Sequence, residues 1–173
     1  MAYTNSIGVV QELSHFFNAA ETDLLDMMID AGVETVQVIA NTSIPNLMTE
    51  ENAEKLLRMT DGKIRITSVW GMWSGPRKWD FIDGPATLGL VPDAYRAQRL
   101  RDLCRCADFA RTLGVRDMAT HVGFVPEQPC YPGYRELVSA VRHIAEYCAE
   151  RDLYFNINCR QPCNFYFNCT IVF

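Results

Sequence analysis

The feature that most constrains the fold of this chain is a regular alternation of short β-rich runs with amphipathic helical stretches. Five runs are predicted to be strands, at residues 7–13, 33–40, 64–69, 115–122 and 153–157. Strands separated by helices predict right-handed βαβ crossovers and a parallel sheet, because each helix returns the chain to the same end of the sheet. A glycine that ends a helix just before a strand occurs at Gly32 and again at Gly114, which indicates repeated units of about 40 residues.

Four main helices connect the predicted strands. Apolar residues at helical spacing predict the first over residues 21–31 and the last over residues 134–151. Thr49 is the predicted N-cap of the second helix, and Asp93 the predicted cap of the third, which is the longest. The inner face of that third helix is predicted to include Leu100, Leu103, Cys104, Ala107, Ala110 and Leu113.

Two parallel folds fit this alternation. No GxGxxG or GxxxxGK[ST] motif follows any of the predicted strands, which disfavours a dinucleotide-binding Rossmann domain and a P-loop enzyme. The leading prediction is an incomplete (β/α)8 TIM barrel with five strands and four main helices, because a closed barrel needs about 250 residues and this chain has 173. An open flavodoxin-like parallel sheet of five strands is the alternative, and it suits the length better.

Charge and composition exclude several classes of partner. The net charge is −5 and the Lys and Arg residues form no cluster, so we expect neither nucleic acid nor an anionic membrane as a partner. No apolar run approaches the roughly 20 residues of a membrane helix, and the first residues have no signal-peptide pattern. We therefore expect a cytoplasmic protein. The seven cysteines, an odd number, disfavour a disulfide framework.

Candidate site residues follow strands three and four, because parallel barrels build their sites at the carboxyl ends of the strands. His121 ends the fourth predicted strand. Its imidazole could bind a divalent metal or a sugar hydroxyl, or it could be a half-buried histidine bonded to a carbonyl, and placement alone leaves both interpretations open. Glu127 could assist proton transfer or metal binding beside His121, although a surface carboxylate is the simpler interpretation.

The connection between strands three and four carries all three tryptophans of the chain, Trp70, Trp73 and Trp79. A connection this long is typical of lids and binding loops. We predict that Trp70 or Trp73 stacks on a sugar ring, and that at least one of the three belongs to the core. Arg77 and Lys78 could hold a phosphate, although an exposed basic pair is more often only solvated.

Three stretches together resemble a known family: SVWGMWSGPRKWDFIDGPATLGLVP, AYRAQRLRDLCRCADFARTLGV and ATHVGFVPE. They are similar to the sugar phosphate isomerases/epimerases of the xylose isomerase-like TIM barrels, and the resemblance spans residues 6–157. It implies isomerisation or epimerisation of a sugar or sugar phosphate by proton transfer through an enediolate. It also implies a divalent metal (manganese, magnesium or zinc), held by Glu, Asp, His and Glu at the ends of strands five to eight.

The chain departs from this family pattern at Asn158, where the resemblance places the first metal-binding glutamate. Residues 159–173 are unlike the family, which suggests a frameshifted or mis-called end. The predicted organisation is a partial barrel over residues 1–158 and a divergent tail over residues 159–173. Because the other three ligands have no counterpart either, we expect this chain to bind no catalytic metal and to have little or no isomerase activity.

Three functions follow from these observations. The first is a sugar isomerase/epimerase that is inactive as this chain, and the second is a non-catalytic sugar-binding or interaction module on the same scaffold. The third is an apurinic endonuclease, which we disfavour because His121 is the one histidine near strands three and four and the chain is acidic. The unpaired outer strands leave a homo-oligomer, aggregation or coverage by the tail open.

Overall fold

The computed structural model describes residues 8–18, 23–160 and 166–171. The strands of this part are Gly8–Glu12 (β1), Thr35–Asn41 (β2), Arg65–Met72 (β3), Asp117–Phe124 (β4), Tyr154–Arg160 (β5) and Tyr166–Ile171 (β6). The α-helices are Leu24–Asp30 (α1), Glu50–Thr60 (α2), Gly84–Thr87 (α3), Asp93–Thr112 (α4) and Tyr134–Ala149 (α5), and a 3₁₀ helix spans Leu13–Phe17. None of the helices described is long and apolar enough to cross a bilayer.

The order of the strands separates the two predicted folds. The six strands form one sheet in the order β1–β2–β3–β4–β5–β6, and the first five are parallel to their neighbours. A flavodoxin-like sheet has the order 2-1-3-4-5, because its first crossover runs in the opposite direction from the later ones. The sequential order therefore confirms the incomplete α/β barrel and excludes the flavodoxin-like alternative.

The last strand, β6, was not among the predicted strands. It is antiparallel to β5, with Phe155 opposite Ile171 and Arg160 opposite Tyr166. In a (β/α)8 barrel the sixth strand would be parallel to the fifth. Oligomerisation, aggregation and coverage by the tail were the outcomes left open for the outer edge of β5. In the structure, β6 of the tail covers that edge.

Two predicted helix starts have different outcomes. Thr49 is the N-cap of α2, and its Oγ1 accepts a hydrogen bond from the backbone N–H of Asn52 at 3.2 Å, as predicted. The prediction for Asp93 is wrong, because Pro92 is the N-cap of α4 and Asp93 is its first helical residue. The Asp93 carboxylate instead forms an ion pair with Arg96. It lies in the first turn of α4, where a negative charge interacts favourably with the helix dipole.

The first predicted helix is shorter than expected. It begins at Leu24, and residues 19–22 lie outside the described residues. The 3₁₀ helix Leu13–Phe17 was not predicted, because part of its sequence was assigned to the first strand. Both differences lie at element ends, where local sequence patterns are least decisive.

The core lies between the sheet and the helices on its outer face. Along β2 the buried side chains Val36, Val38 and Ala40 alternate with half-exposed ones, so one face of the strand packs on helices and the other lines the inside of the barrel. The predicted inner face of α4 is confirmed in its buried members, Leu103, Ala107, Ala110 and Leu113, while Leu100 and Cys104 are partly buried against the same core.

Candidate functional site

The candidate site is the mouth of the partial barrel, where β2 to β5 approach their carboxyl ends. We define the mouth by six side chains: Asn41, Trp70, Arg77, Trp79, His121 and Asn158. Strand pairing sets the positions of its inner-face members, because Trp70 lies opposite Ala119 and His121 opposite Asn158. Residues two apart on a strand share a face, so Ala119 and His121 both face the inside.

Below the mouth, the inner face of the sheet forms a groove of about 620 Å³. Trp70 and Asn158 line its upper part, and five of the eight other lining residues are polar. There Gln37 Nε2 donates a hydrogen bond to Ser68 Oγ at 2.6 Å, and Asn156 Nδ2 donates to Asp117 Oδ1 at 3.1 Å. Barrel interiors are usually filled by branched apolar residues. Amide, hydroxyl and carboxylate groups in their place suit a ligand rich in hydroxyls.

His121 lies in the floor of the mouth and is buried, with 3% of its surface exposed. Its Nδ1 accepts a hydrogen bond from the backbone N–H of Gly123 at 3.0 Å. A neutral imidazole with an accepting Nδ1 carries its proton on Nε2, so Nε2 is the ring's donor. The ring meets Trp79 edge to face, with centroids 5.2 Å apart. The two predicted roles, sugar or metal contact, stay predictions.

The three tryptophans have different environments. Trp70 is half-buried on the inner face, with its ring centroid 6.3 Å from that of Trp79. Trp73 is 1% exposed and packs with Leu88 and Phe124, so no face of its ring is open to a ligand. The prediction that Trp73 could stack on a sugar is therefore wrong. The prediction that at least one tryptophan belongs to the core is confirmed.

Trp79 also lies at the mouth, although the sequence favoured Trp70 or Trp73 for contact with a sugar. It is 43% exposed and stands between Trp70 and His121. The sequence places all three tryptophans in one connection, and which indole is buried depends on tertiary contacts of that connection. For Trp73 these contacts include the guanidinium of Arg99, which lies 5.3 Å from the centre of that ring.

Arg99 and Asp102 of α4 hold the β3–α4 connection in place. The buried guanidinium of Arg99 donates to the carbonyl oxygens of Gly89, Pro76 and Ser74, at 2.7, 2.9 and 3.3 Å. Burial lowers the pKa of Arg99 to about 10, which leaves it charged at neutral pH. Asp102 Oδ2 accepts from the backbone N–H of Ser74 at 2.9 Å and from its hydroxyl at 2.6 Å.

Glu127 is exposed in the loop between β4 and α5. This exposure fits the simpler interpretation, a surface carboxylate, and its predicted role beside His121 stays a prediction. A different carboxylate lies on the inner face: Glu12 ends β1, two positions after the groove residue Val10. Its Oε2 is buried without a hydrogen-bond partner among the described residues. The alternation of side chains along β1 could have identified Glu12 from the sequence.

The donors at the mouth do not fit a divalent metal centre. Residues 8–18, 23–160 and 166–171 contain no group of three His, Cys, Asp or Glu side chains that could hold a metal ion. His121 has the amide Asn158, not a carboxylate, opposite it on the next strand. Divalent cations of this kind need several carboxylate or imidazole ligands, which one imidazole and one amide cannot replace.

Comparison with known proteins finds similarity in solved structures, whereas no protein-family model and no curated protein matches the chain. A xylose isomerase domain protein from Planctomyces limnophilus is 29% identical, with a TM-score of 0.75 over 87% of this chain and 52% of that one. An L-ribulose 3-epimerase has a TM-score of 0.59 at 18% identity, over 89% and 49% of the two chains. A 3-keto-D-glucoside 4-epimerase from E. coli has a TM-score of 0.56 at 14% identity, over 88% and 56%.

The two epimerases are too distant in sequence to show more than the fold. This chain spans about half the length of each of these solved structures. Its strand order agrees with that of a barrel, and its tryptophan-rich connection lies at the end where such barrels build their sites. The structural neighbours of this chain are thus xylose isomerase-like TIM-barrel proteins, sugar isomerases and epimerases among them, and the chain corresponds to about half of such a barrel.

Proposed function

We propose that this chain is part of a sugar isomerase/epimerase and that, as a chain of 173 residues, it binds a sugar at the mouth without turning it over. The observation that carries the proposal is the combination of an indole face, Trp70, with a polar groove at the carboxyl ends of parallel strands. The names of the structural neighbours support a sugar as the ligand class.

The chemistry of the lining matches a sugar in two ways. Trp70 offers an apolar ring surface, which suits the C–H face of a pyranose or furanose. Asn156 and Asn158 line the groove and offer amide groups that both donate and accept hydrogen bonds. A flat aromatic surface beside several convergent polar groups is the usual composition of a small-ligand site.

The proposed absence of turnover rests on the residue at position 158. Proton transfer through an enediolate needs a side chain that takes up and releases a proton near neutral pH. The imidazole of His121 can transfer a proton, but the position where the resemblance places the first metal-binding glutamate is Asn158, an amide that neither titrates nor carries a charge. The mouth residues also do not fit a divalent metal, so within the described residues no site holds the Lewis acid that the family resemblance implies.

Binding is tested by titrating the chain with D-tagatose and L-ribulose, the sugars that solved neighbours are named for, and following tryptophan fluorescence. We expect saturable binding that Trp70→Ala weakens about three- to tenfold, because one aromatic contact is lost. Tyr154→Ala is the matched control, since this aromatic residue starts β5 at the opposite end of the strand. Equal weakening by both substitutions, or no binding, would contradict the proposed site.

Turnover is tested with the same sugars in D₂O containing MnCl₂, by measuring deuterium incorporation into the sugar. We expect none above a protein-free control, because Asn158 stands where the resemblance places the first metal-binding glutamate. Metal-dependent exchange that persists through purification and is removed by EDTA would overturn the claim of inactivity.

A further inference from the structure

Glu12 is a carboxylate beside the mouth to which the proposed sugar site gives no role. It ends β1 and lies on the inner face, two positions after the groove residue Val10. Its Oε2 is buried and accepts no hydrogen bond from the described residues, although the residue as a whole is partly exposed. The carboxylate therefore lies at the boundary between the sheet and the open inner face, where a ligand can reach it.

Strand register places Glu12 in one row with the aromatic part of the mouth. Glu12 lies opposite Ile39 on β2, and Ile39 lies opposite Trp70 on β3. Adjacent strands are about 4.8 Å apart, so Glu12 and Trp70 are two strand spacings, or about 10 Å, from each other. Ile39 between them is apolar and half-buried. A monosaccharide that stacks on Trp70 and lies over Ile39 can thus direct one of its substituents toward Glu12.

The charge of Glu12 is not balanced within the described part of the chain. The ion pairs found there do not include Glu12, and it belongs to no group of side chains that could hold a metal ion. The cation of the mouth is Arg77, whose Nη1 donates to Asn41 Oδ1 at 3.4 Å and to the carbonyl oxygen of Trp73 at 3.2 Å. Asn41 lies two residues beyond Ile39 on β2, or about 7 Å further along the strand. The contacts of Arg77 are therefore above the row that contains Glu12.

A carboxylate in this position favours a ligand that carries a positive charge. An ionised carboxylate only accepts hydrogen bonds, and removing it from water without a paired cation is unfavourable. A neutral hydroxyl can satisfy a lone pair of Oε2 but leaves the charge uncompensated. A protonated amine supplies both the hydrogen bond and the opposite charge, and such charge-assisted hydrogen bonds are about twice as strong as neutral ones.

We propose that Glu12 binds an ammonium group and that the mouth prefers an amino sugar to the corresponding neutral sugar. This inference rests on the proposed sugar site and assigns the side chain that selects among sugars. Glu12 is thus a specificity-determining residue, with no part in proton transfer.

The experiment compares D-tagatose with 1-amino-1-deoxy-D-tagatose, in which an amine replaces one hydroxyl, by isothermal titration at a pH where the amine is protonated. We expect the wild-type chain to bind the amino sugar about tenfold more tightly, because a charge-assisted hydrogen bond replaces a neutral one. The N-acetylated amino sugar, which carries no charge, should bind no more tightly than D-tagatose. Glu12→Gln keeps the shape and an acceptor but removes the charge. It should abolish most of the preference and leave the affinity for D-tagatose within about twofold.

Glu34→Gln is the matched control. Glu34 is exposed, directly precedes β2 and lines the groove at the opposite end of the sheet. The variant therefore removes the same charge far from the mouth and should keep the preference for the amino sugar. Circular dichroism of each variant checks that it is folded.

Each other outcome overturns the inference in a distinguishable way. If the wild type binds D-tagatose and its amino derivative equally, or the acetylated derivative as tightly as the free amine, the ammonium subsite is wrong and the sugar site stands. If Glu12→Gln keeps the preference or weakens both sugars equally, or if Glu34→Gln also loses it, Glu12 is not the residue that selects the amine. If neither sugar binds to the wild-type chain, the proposed sugar site falls together with its subsite.

Discussion

At the scale of single residues, Gly89 sets how closely the β3–α4 connection approaches β4. Its φ is +68°, and a Cβ added there would lie 2.0 Å from the carbonyl carbon of Val122. The next residue, Leu90, donates its N–H to the carbonyl oxygen of Val122 at 2.8 Å, and the carbonyl of Gly89 accepts from Arg99. A side chain at this position would separate the connection from the end of β4.

Gly89→Ala tests this contact, with Gly114→Ala as its matched control. Gly114 has nearly the same φ, +69°, but no atom lies within 4 Å of an added Cβ. We expect Gly114→Ala to lower the free energy of unfolding by about 1–2 kcal/mol, the cost of the left-handed conformation. Gly89→Ala should lower it by at least about 2 kcal/mol more, because backbone atoms must also move. Urea denaturation measures both, and equal losses would contradict the packing described.

Single residues of the site were predictable where local position decides their placement. His121 follows from its position on the fourth strand, and Asn158 from the register of the fifth. The roles of Trp73 and Trp79 did not follow, because the buried indole of Trp73 contacts residues far along the chain, such as Arg99, 26 positions further on. A contact over such a separation leaves no periodic signal in the sequence.

At the scale of elements, the five parallel strands and the four main helices were predictable because each has its own hydrophobic period. The 3₁₀ helix Leu13–Phe17 was not, since five residues are too few to show a helical period. Nor was β6, because its pairing depends on the open edge of β5 and not on its own pattern. The unpaired N–H and C=O groups of an exposed strand edge can pair with a nearby extended segment of almost any sequence.

The N-cap of α2 allows a test at this scale. Thr49→Ala removes the acceptor for the N–H of Asn52, so we expect a loss of about 1 kcal/mol in the free energy of unfolding. Thr49→Ser keeps the acceptor and should stay close to the wild type. Thermal and urea denaturation of the three chains make the comparison. A serine variant as unstable as the alanine variant would show that the methyl group of Thr49, not its cap, stabilises the helix.

At the scale of the whole molecule, the described part is a sheet with helices on one face and an open groove on the other. The sequence predicted this incomplete barrel from its length and its alternation of elements. The polar lining of the groove was not predictable without the register, because Ser68, Asp117 and Asn156 come from three different strands. Their polarity fits an inner face that contacts water or ligand.

A second groove lies at the opposite end of the molecule and is somewhat larger, at about 700 Å³. It is lined by the α2–β3 connection, including Asp61 and Lys63, and by the α4–β4 connection around Gly114. These connections precede their strands, and in parallel barrels that end stabilises the fold while the carboxyl end binds substrate. We therefore expect a sugar to bind in the groove below the mouth and not in this second groove.

The most direct test of the account is a map of amide chemical shifts of the 173-residue chain during titration with D-tagatose. The account predicts that the shifts that change lie at the mouth, around Asn41, Trp70–Trp79, His121 and Asn158. Shifts confined to the groove around Lys63 and Gly114, or none at saturating sugar, would contradict the account that the mouth of this partial barrel is a sugar site.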